Sequence, residues 1–95
     1  MGRQRKKYWE GIRLNERGTG YLVQVDDARY TLMQNGYRET KRGWVKDFSG
    51  KKHFHAYIEN DNLIDIHIDK DIEGRHSAVI KPELVHEVRR IRRII

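Results

Sequence analysis

At 95 residues the chain has room for one small domain, a single sheet with one or two helices over one core. Its formal charge of +6, from 20 Lys/Arg against 14 Asp/Glu, favours polyanionic partners, nucleic acid above all. There is no cysteine, which excludes disulfides, thiolate metal sites and cysteine nucleophiles.

The charge is uneven. Residues 1–20 hold six Lys/Arg against two acids, and residues 81–95 hold five against two, whereas residues 61–80 hold two against five. Basic ends flanking an acidic stretch suit an electrostatic footprint built from the termini. Residues 1–7 are polar and basic with no apolar run behind them, and are expected to be a flexible arm ahead of a single α+β domain over 8–95. No membrane partner is expected, and the cytoplasm is the default location.

In chain order, Tyr8 to Leu14 fits a strand, with Asn15-Glu16-Arg17-Gly18 as the turn after it. Tyr21-Leu22-Val23-Gln24-Val25 is a stronger strand, β-branched and aromatic between glycine and aspartate. Residues 26–36 admit two readings. Asp26 would cap a short helix over 27–35 that Gly36 closes, or Asn35-Gly36 would turn a hairpin between Tyr30–Met33 and Tyr37–Lys41. Ala28, Leu32, Met33 and Gln34 tip the balance to the helix.

Two hairpins follow. Asp47-Phe48-Ser49-Gly50 predicts a type I turn with Gly50 left-handed, pairing Asp47 with Lys51 and setting Trp44 opposite Phe54 on the core face. Asn60-Asp61-Asn62 predicts a three-residue loop with Asn62 at positive φ. Strict alternation on both sides of that loop places Phe54, Ala56, Ile58, Ile64, Ile66 and Ile68 on the core face. The register then sets Ile58 opposite Ile64, Tyr57 opposite Asp65, His55 opposite His67 and His53 opposite Asp69. His76–Ile80 is a candidate edge strand. Pro82 opens a final helix with Leu84, Val88, Ile91 and Ile95 on one stripe and His86, Arg89, Arg90 and Arg93 away from it. The expected fold is a small antiparallel β-meander packed by this helix, with the short helix at 27–35 as a second.

The polar face of the central hairpin gathers three histidines and two aspartates. Directly opposite side chains lie about 5 Å apart at Cβ, so His55 and His67 are neighbours. The plain reading is a solvated face carrying the cross-strand pairs His53–Asp69 and Tyr57–Asp65, as antiparallel sheets often do. The chemical reading makes His53, His55, His67 and Asp65 a candidate catalytic group for phosphodiester cleavage, with a histidine as acid or base. Two imidazoles and a carboxylate would also suit a divalent metal, but alternation alone fixes no third ligand, so no metal or cofactor is assigned.

Arg3, Arg5, Lys6 and Lys7 stand beside Tyr8 and Trp9, an arrangement that neutralises phosphates while aromatics stack on bases. The bland alternative is a charged tail with its aromatics tucked against the sheet. Arg89, Arg90, Arg92 and Arg93 crowd four guanidinium groups into five positions, which repel one another unless an anion is near. A solvated helix end satisfying the helix dipole is the competing account. Ile94-Ile95 is an apolar end, and a homodimer is one way to bury it.

The run Leu32-Met33-Gln34-Asn35-Gly36-Tyr37 resembles the end of the first helix and the start of the first strand in HicA-type toxins. With the meander and basic last helix after it, the order of elements is similar to the double-stranded-RNA-binding-domain-like architecture those toxins share. The resemblance implies RNA as the partner, in preference to DNA, and a catalytic histidine shortly after a glycine near the second strand. Here Gly43 is followed by Trp44-Val45, so a direct overlay lacks that histidine. Sliding the match by one hairpin brings His53 or His55 into the role. The expected function is a small basic RNA-binding protein. A HicA-like ribonuclease is the first alternative and a protein–protein interaction module the second.

Overall fold

The period-two stretches become strands and the capped, 3.6-periodic stretches become helices, in the order β1 (Ile12–Leu14), β2 (Gly20–Gln24), α1 (Ala28–Gln34), β3 (Arg38–Thr40), β4 (Gly43–Ser49), β5 (Lys52–Asn60), β6 (Leu63–Asp69) and α2 (Pro82–Arg93). The structure, a computed structural model, describes residues 11–50, 52–69 and 82–93, apart from the side chains of Ser49 and Arg93. The arm at 1–7, the first residues of the Tyr8–Leu14 strand, the candidate strand His76–Ile80 and Ile94-Ile95 lie outside the described residues.

The fold is α+β. A six-stranded antiparallel sheet has the order β1-β2-β6-β5-β4-β3. β3 to β6 form a meander, and the β1–β2 hairpin extends the sheet beyond β6. Four strands therefore separate the two helices, β3 being a three-residue edge strand. Both helices bury their apolar stripes in one core over one face of the sheet. α2 packs on β1, β2 and β6, and α1 on β5. Leu84, Val88 and Ile91 meet Val23, Ile64 and Ile66, all fully buried, and Leu32 of α1 joins them. Each such side chain contributes about 1.5–3 kcal/mol by leaving water.

The residues at 26–36 form a helix, not a hairpin. Its N-cap is Asp27, one residue later than predicted, with a carboxylate oxygen accepting from the Tyr30 N–H at 3.0 Å. Gly36 at φ +88° closes it.

The β5–β6 register is as predicted: Ile58–Ile64, Tyr57–Asp65, His55–His67 and His53–Asp69. Its turn differs. Asn60 pairs with Leu63 across a bulge, and no non-glycine residue among those described has positive φ, Asn62 included. Asn62 instead anchors the turn, donating its side-chain amide to the Asp26 carbonyl at 2.8 Å.

The β4–β5 register is two residues away from the prediction. Trp44 faces Ala56, Lys46 faces Phe54 and Asp47 faces His53, with Ser49 pairing Lys52 and a bulge between Asp47 and Ser49. A two-residue slip keeps every side chain on its predicted face, and Trp44 and Phe54 are both buried in the core. Gly50 is left-handed, as predicted, at φ +58°.

Candidate functional site: a buried histidine–aspartate cluster and a basic helix end

The second face of the sheet, away from the helices, is not solvated at its centre. His55, His67 and Asp69 are 4%, 3% and 1% exposed. Alternation brings His53 and His55 to this face from β5, and His67 and Asp69 from β6. Antiparallel pairing then sets them in a two-by-two grid, with His53 opposite Asp69 and His55 opposite His67. The Asp69 carboxylate is the hub. His55 Nδ1 lies 2.8 Å from Oδ2, His53 Nε2 lies 3.3 Å from Oδ2, and His67 Nε2 lies 3.1 Å from Oδ1. The His55–Asp69 contact is diagonal across the ladder, a direction that strand twist and a long side chain bring within reach.

The other nitrogen of His55 is also engaged. Nε2 lies 2.7 Å from the backbone oxygen of Arg42 in the β3–β4 turn. A carbonyl accepts only, so Nε2 carries a proton and donates. The turn reaches His55 because position 43 is glycine. Gly43 sits at φ +122°, and a Cβ there would lie 2.8 Å from the Ala56 oxygen and 3.1 Å from His55 Nε2.

Burial by itself would lower the His55 pKa. The hydrogen bonds to Asp69 and to the Arg42 carbonyl, with the Asp69 charge, outweigh it and raise the value. Burial would likewise raise the Asp69 carboxyl, but the contacts from His55 and His67 hold it well below the usual carboxylate range. Both shifts describe one buried pair, an imidazolium donating through Nδ1 to a carboxylate. The Tyr57 ring flanks it, 4.6 Å from the His55 ring and 5.6 Å from that of His67.

The sequence-derived group is thus brought together in part. His53, His55 and His67 converge, but on Asp69. Asp65, on the same face of β6, stands apart from them and accepts a hydrogen bond from the Asn15 amide at 3.3 Å. It lines a cavity of about 400 Å³ beside the cluster, walled by the β1–β2 turn and reached by Tyr57 and His67. Glu16, Glu59 and Asp65 line that cavity against one Arg17, so its field attracts cations and repels phosphate.

The basic residues fall into two areas. On α2, Arg89 and Arg90 are exposed and Arg92 is half-buried. Arg90 contacts Glu87 at 3.1 Å, and Arg93 ends the helix. Arg92 lies against Gly11, where an added Cβ would run into the guanidinium. Arg13, exposed on the neighbouring edge strand β1, was not singled out by sequence, because nothing there told which edge β1 would occupy. Lys41 and Arg42 sit by β3, at the opposite edge of the sheet. Their turn folds over the face of the sheet away from α2, where the Arg42 oxygen meets His55. Arg3, Arg5, Lys6 and Lys7 precede the described residues.

No helix among the described residues is long and apolar enough to cross a membrane. Comparison with protein-family models, with curated proteins and with solved structures returns no match.

Proposed function

We propose that the chain is a nucleic-acid-binding protein that grips phosphates with its basic arm and the arginines at the end of α2. The observation that carries this reading is the contact of Gly11 with Arg92. Lys7 is only four residues from Gly11, so its Cα lies within about 14 Å of Gly11 whatever path the arm takes. The start of the described chain therefore lies beside the end of α2, with Arg13 adding a further charge there. RNA is preferred to DNA only through the resemblance to an order of helix, three strands and helix, from which this chain departs with four strands between α1 and α2.

The ribonuclease alternative has less geometric support. It asks His53 or His55 to meet a scissile phosphate, whereas His55 is buried with both nitrogens engaged and the adjoining cavity is acidic.

Anisotropy titrations of short single- and double-stranded RNA and DNA against salt test the proposal. Binding should weaken steeply as salt rises, with a log–log slope of about −0.7 to −0.9 per phosphate contact. Deleting residues 1–7 should flatten the slope by up to about three units, and Arg89→Glu with Arg92→Glu should do so independently. The reading fails if no binding is measurable at low salt, or if neither change alters the slope.

A further inference from the structure

We infer that His53, His55, His67 and Asp69 form a binding site for a divalent transition metal of the zinc class. This inference stands apart from the nucleic-acid reading and shares no residue with it.

The geometry is that of a site built from two strands. One imidazole nitrogen from each of His55 and His67 and a carboxylate oxygen of Asp69 all lie within 4.8 Å of one another. His53 Nε2 lies 3.3 Å from the same carboxylate. Donor atoms at about 2.0–2.1 Å from a tetrahedral ion stand about 3.3 Å apart. The 2.8 and 3.3 Å to Oδ2 and the 3.1 Å to Oδ1 of Asp69 lie close to that spacing, and the His55 and His67 nitrogens, within 4.8 Å of one another, need only side-chain rotation to meet it. Three imidazoles with one carboxylate suit zinc and its neighbours rather than calcium or magnesium, which take oxygen ligands.

The support around the ligands points the same way. A metal-bound histidine ordinarily donates its second N–H to a carbonyl or carboxylate, which fixes the ring and the coordinating nitrogen. His55 does this through Nε2 to the Arg42 oxygen at 2.7 Å, leaving Nδ1 aimed at the cluster centre. On metal entry the proton that His55 Nδ1 gives to Asp69 leaves to solvent, and the nitrogen lone pair takes its place. The acid-lined cavity that His67 reaches supplies a route attractive to cations.

The test uses the full, untagged chain, stripped with chelator and titrated with Zn2+ and with Co2+. One ion per chain should bind. At a hundredfold excess over Kd it should raise the thermal midpoint by about 10 °C or more. His67→Gln and His53→Gln should each weaken binding at least tenfold, while His86→Gln, exposed on α2, should leave it unchanged. Imidazole nitrogen NMR of the wild-type protein guards against variants that fail to fold. His55 should coordinate through Nδ1, and His53 and His67 through Nε2. The inference is overturned by absence of one-to-one binding, by binding that survives both substitutions, or by nitrogen shifts confined to other histidines.

Discussion

Lys46 of β4 and Glu87 of α2 form an ion pair beneath the last helix, their side chains 19% and 6% exposed. Lys46 is a cation on the core face, and the pair explains its tolerance there. Its ammonium also donates to the Asn35 carbonyl at the end of α1, at 3.1 Å, and lies over the Tyr37 ring. Glu87 in turn accepts from the Tyr37 hydroxyl at 2.8 Å. One lysine thus ties both helices to the sheet. Removing Glu87 leaves the Lys46 ammonium without its counter-ion and the Tyr37 phenol without its acceptor, so Glu87→Ala should lower stability by about 3–5 kcal/mol in urea unfolding. The double change Lys46→Met with Glu87→Leu should recover most of that loss, because no buried charge remains.

The same contact makes the protein sensitive to alkali. Burial, then the Glu87 charge and hydrogen bond, hold the Tyr37 phenol well above its ordinary value near 10. Above that pH the unfolded chain loses the proton while the folded chain keeps it. The Tyr37 contribution is therefore complete below about pH 10 and declines above it, by up to about 1.4 kcal/mol per pH unit until the folded group titrates. Subtracting the Tyr37→Phe unfolding curve from that of the parent between pH 9 and pH 12 isolates this decline. A difference that does not change with pH would contradict the assignment.

Much of the fold was readable because alternation and turn chemistry agree. Register across β5 and β6 followed from one requirement, that Ile58 and Ile64 share a face. The β4–β5 register did not follow, because a two-residue slip satisfies the same requirement and only the bulge after Asp47 decides between them. Asp26 and Asp27 are both competent caps, and choosing between them depends on where the β5–β6 turn docks. There the Asp61 oxygen accepts from Ala28 N–H at 2.8 Å. The cluster was half readable. Alternation named its face, but its burial and the choice of Asp69 over Asp65 depend on Arg42, thirteen residues before His55, and on strand twist. The Lys46–Glu87 pair spans 41 positions, and no local pattern announces it.

Gly43 gives a test of how the second face is closed. Gly18 also has positive φ, at +72°, but a Cβ there meets nothing within 4 Å. Gly18→Ala should therefore cost backbone strain alone, about 1 kcal/mol. Gly43→Ala adds a collision with the Ala56 carbonyl and should cost about 2–3 kcal/mol or more. It should also shift the His55 Nε2 proton resonance as the Arg42 carbonyl is pushed away. Equal costs for the two alanines would show that the turn does not approach β5 as closely as described.

The two aspartates of β6 that face the same way should behave oppositely. Asp69 is 1% exposed and meets three imidazoles, whereas Asp65 is partly exposed and contacts the Asn15 amide. Asp69→Asn removes the charge that balances the His55 imidazolium in a water-poor site. Breaking one side of such a pair costs about 3–5 kcal/mol, and His55 can relieve part of it by shedding its Nδ1 proton. We expect about 3 kcal/mol for Asp69→Asn and under about 1 kcal/mol for Asp65→Asn, both by urea unfolding with chelator present. Near-equal costs would mean that the hub of the cluster has been misassigned. A large cost confined to Asp69 would establish that carboxylate as the hub on which the three imidazoles converge.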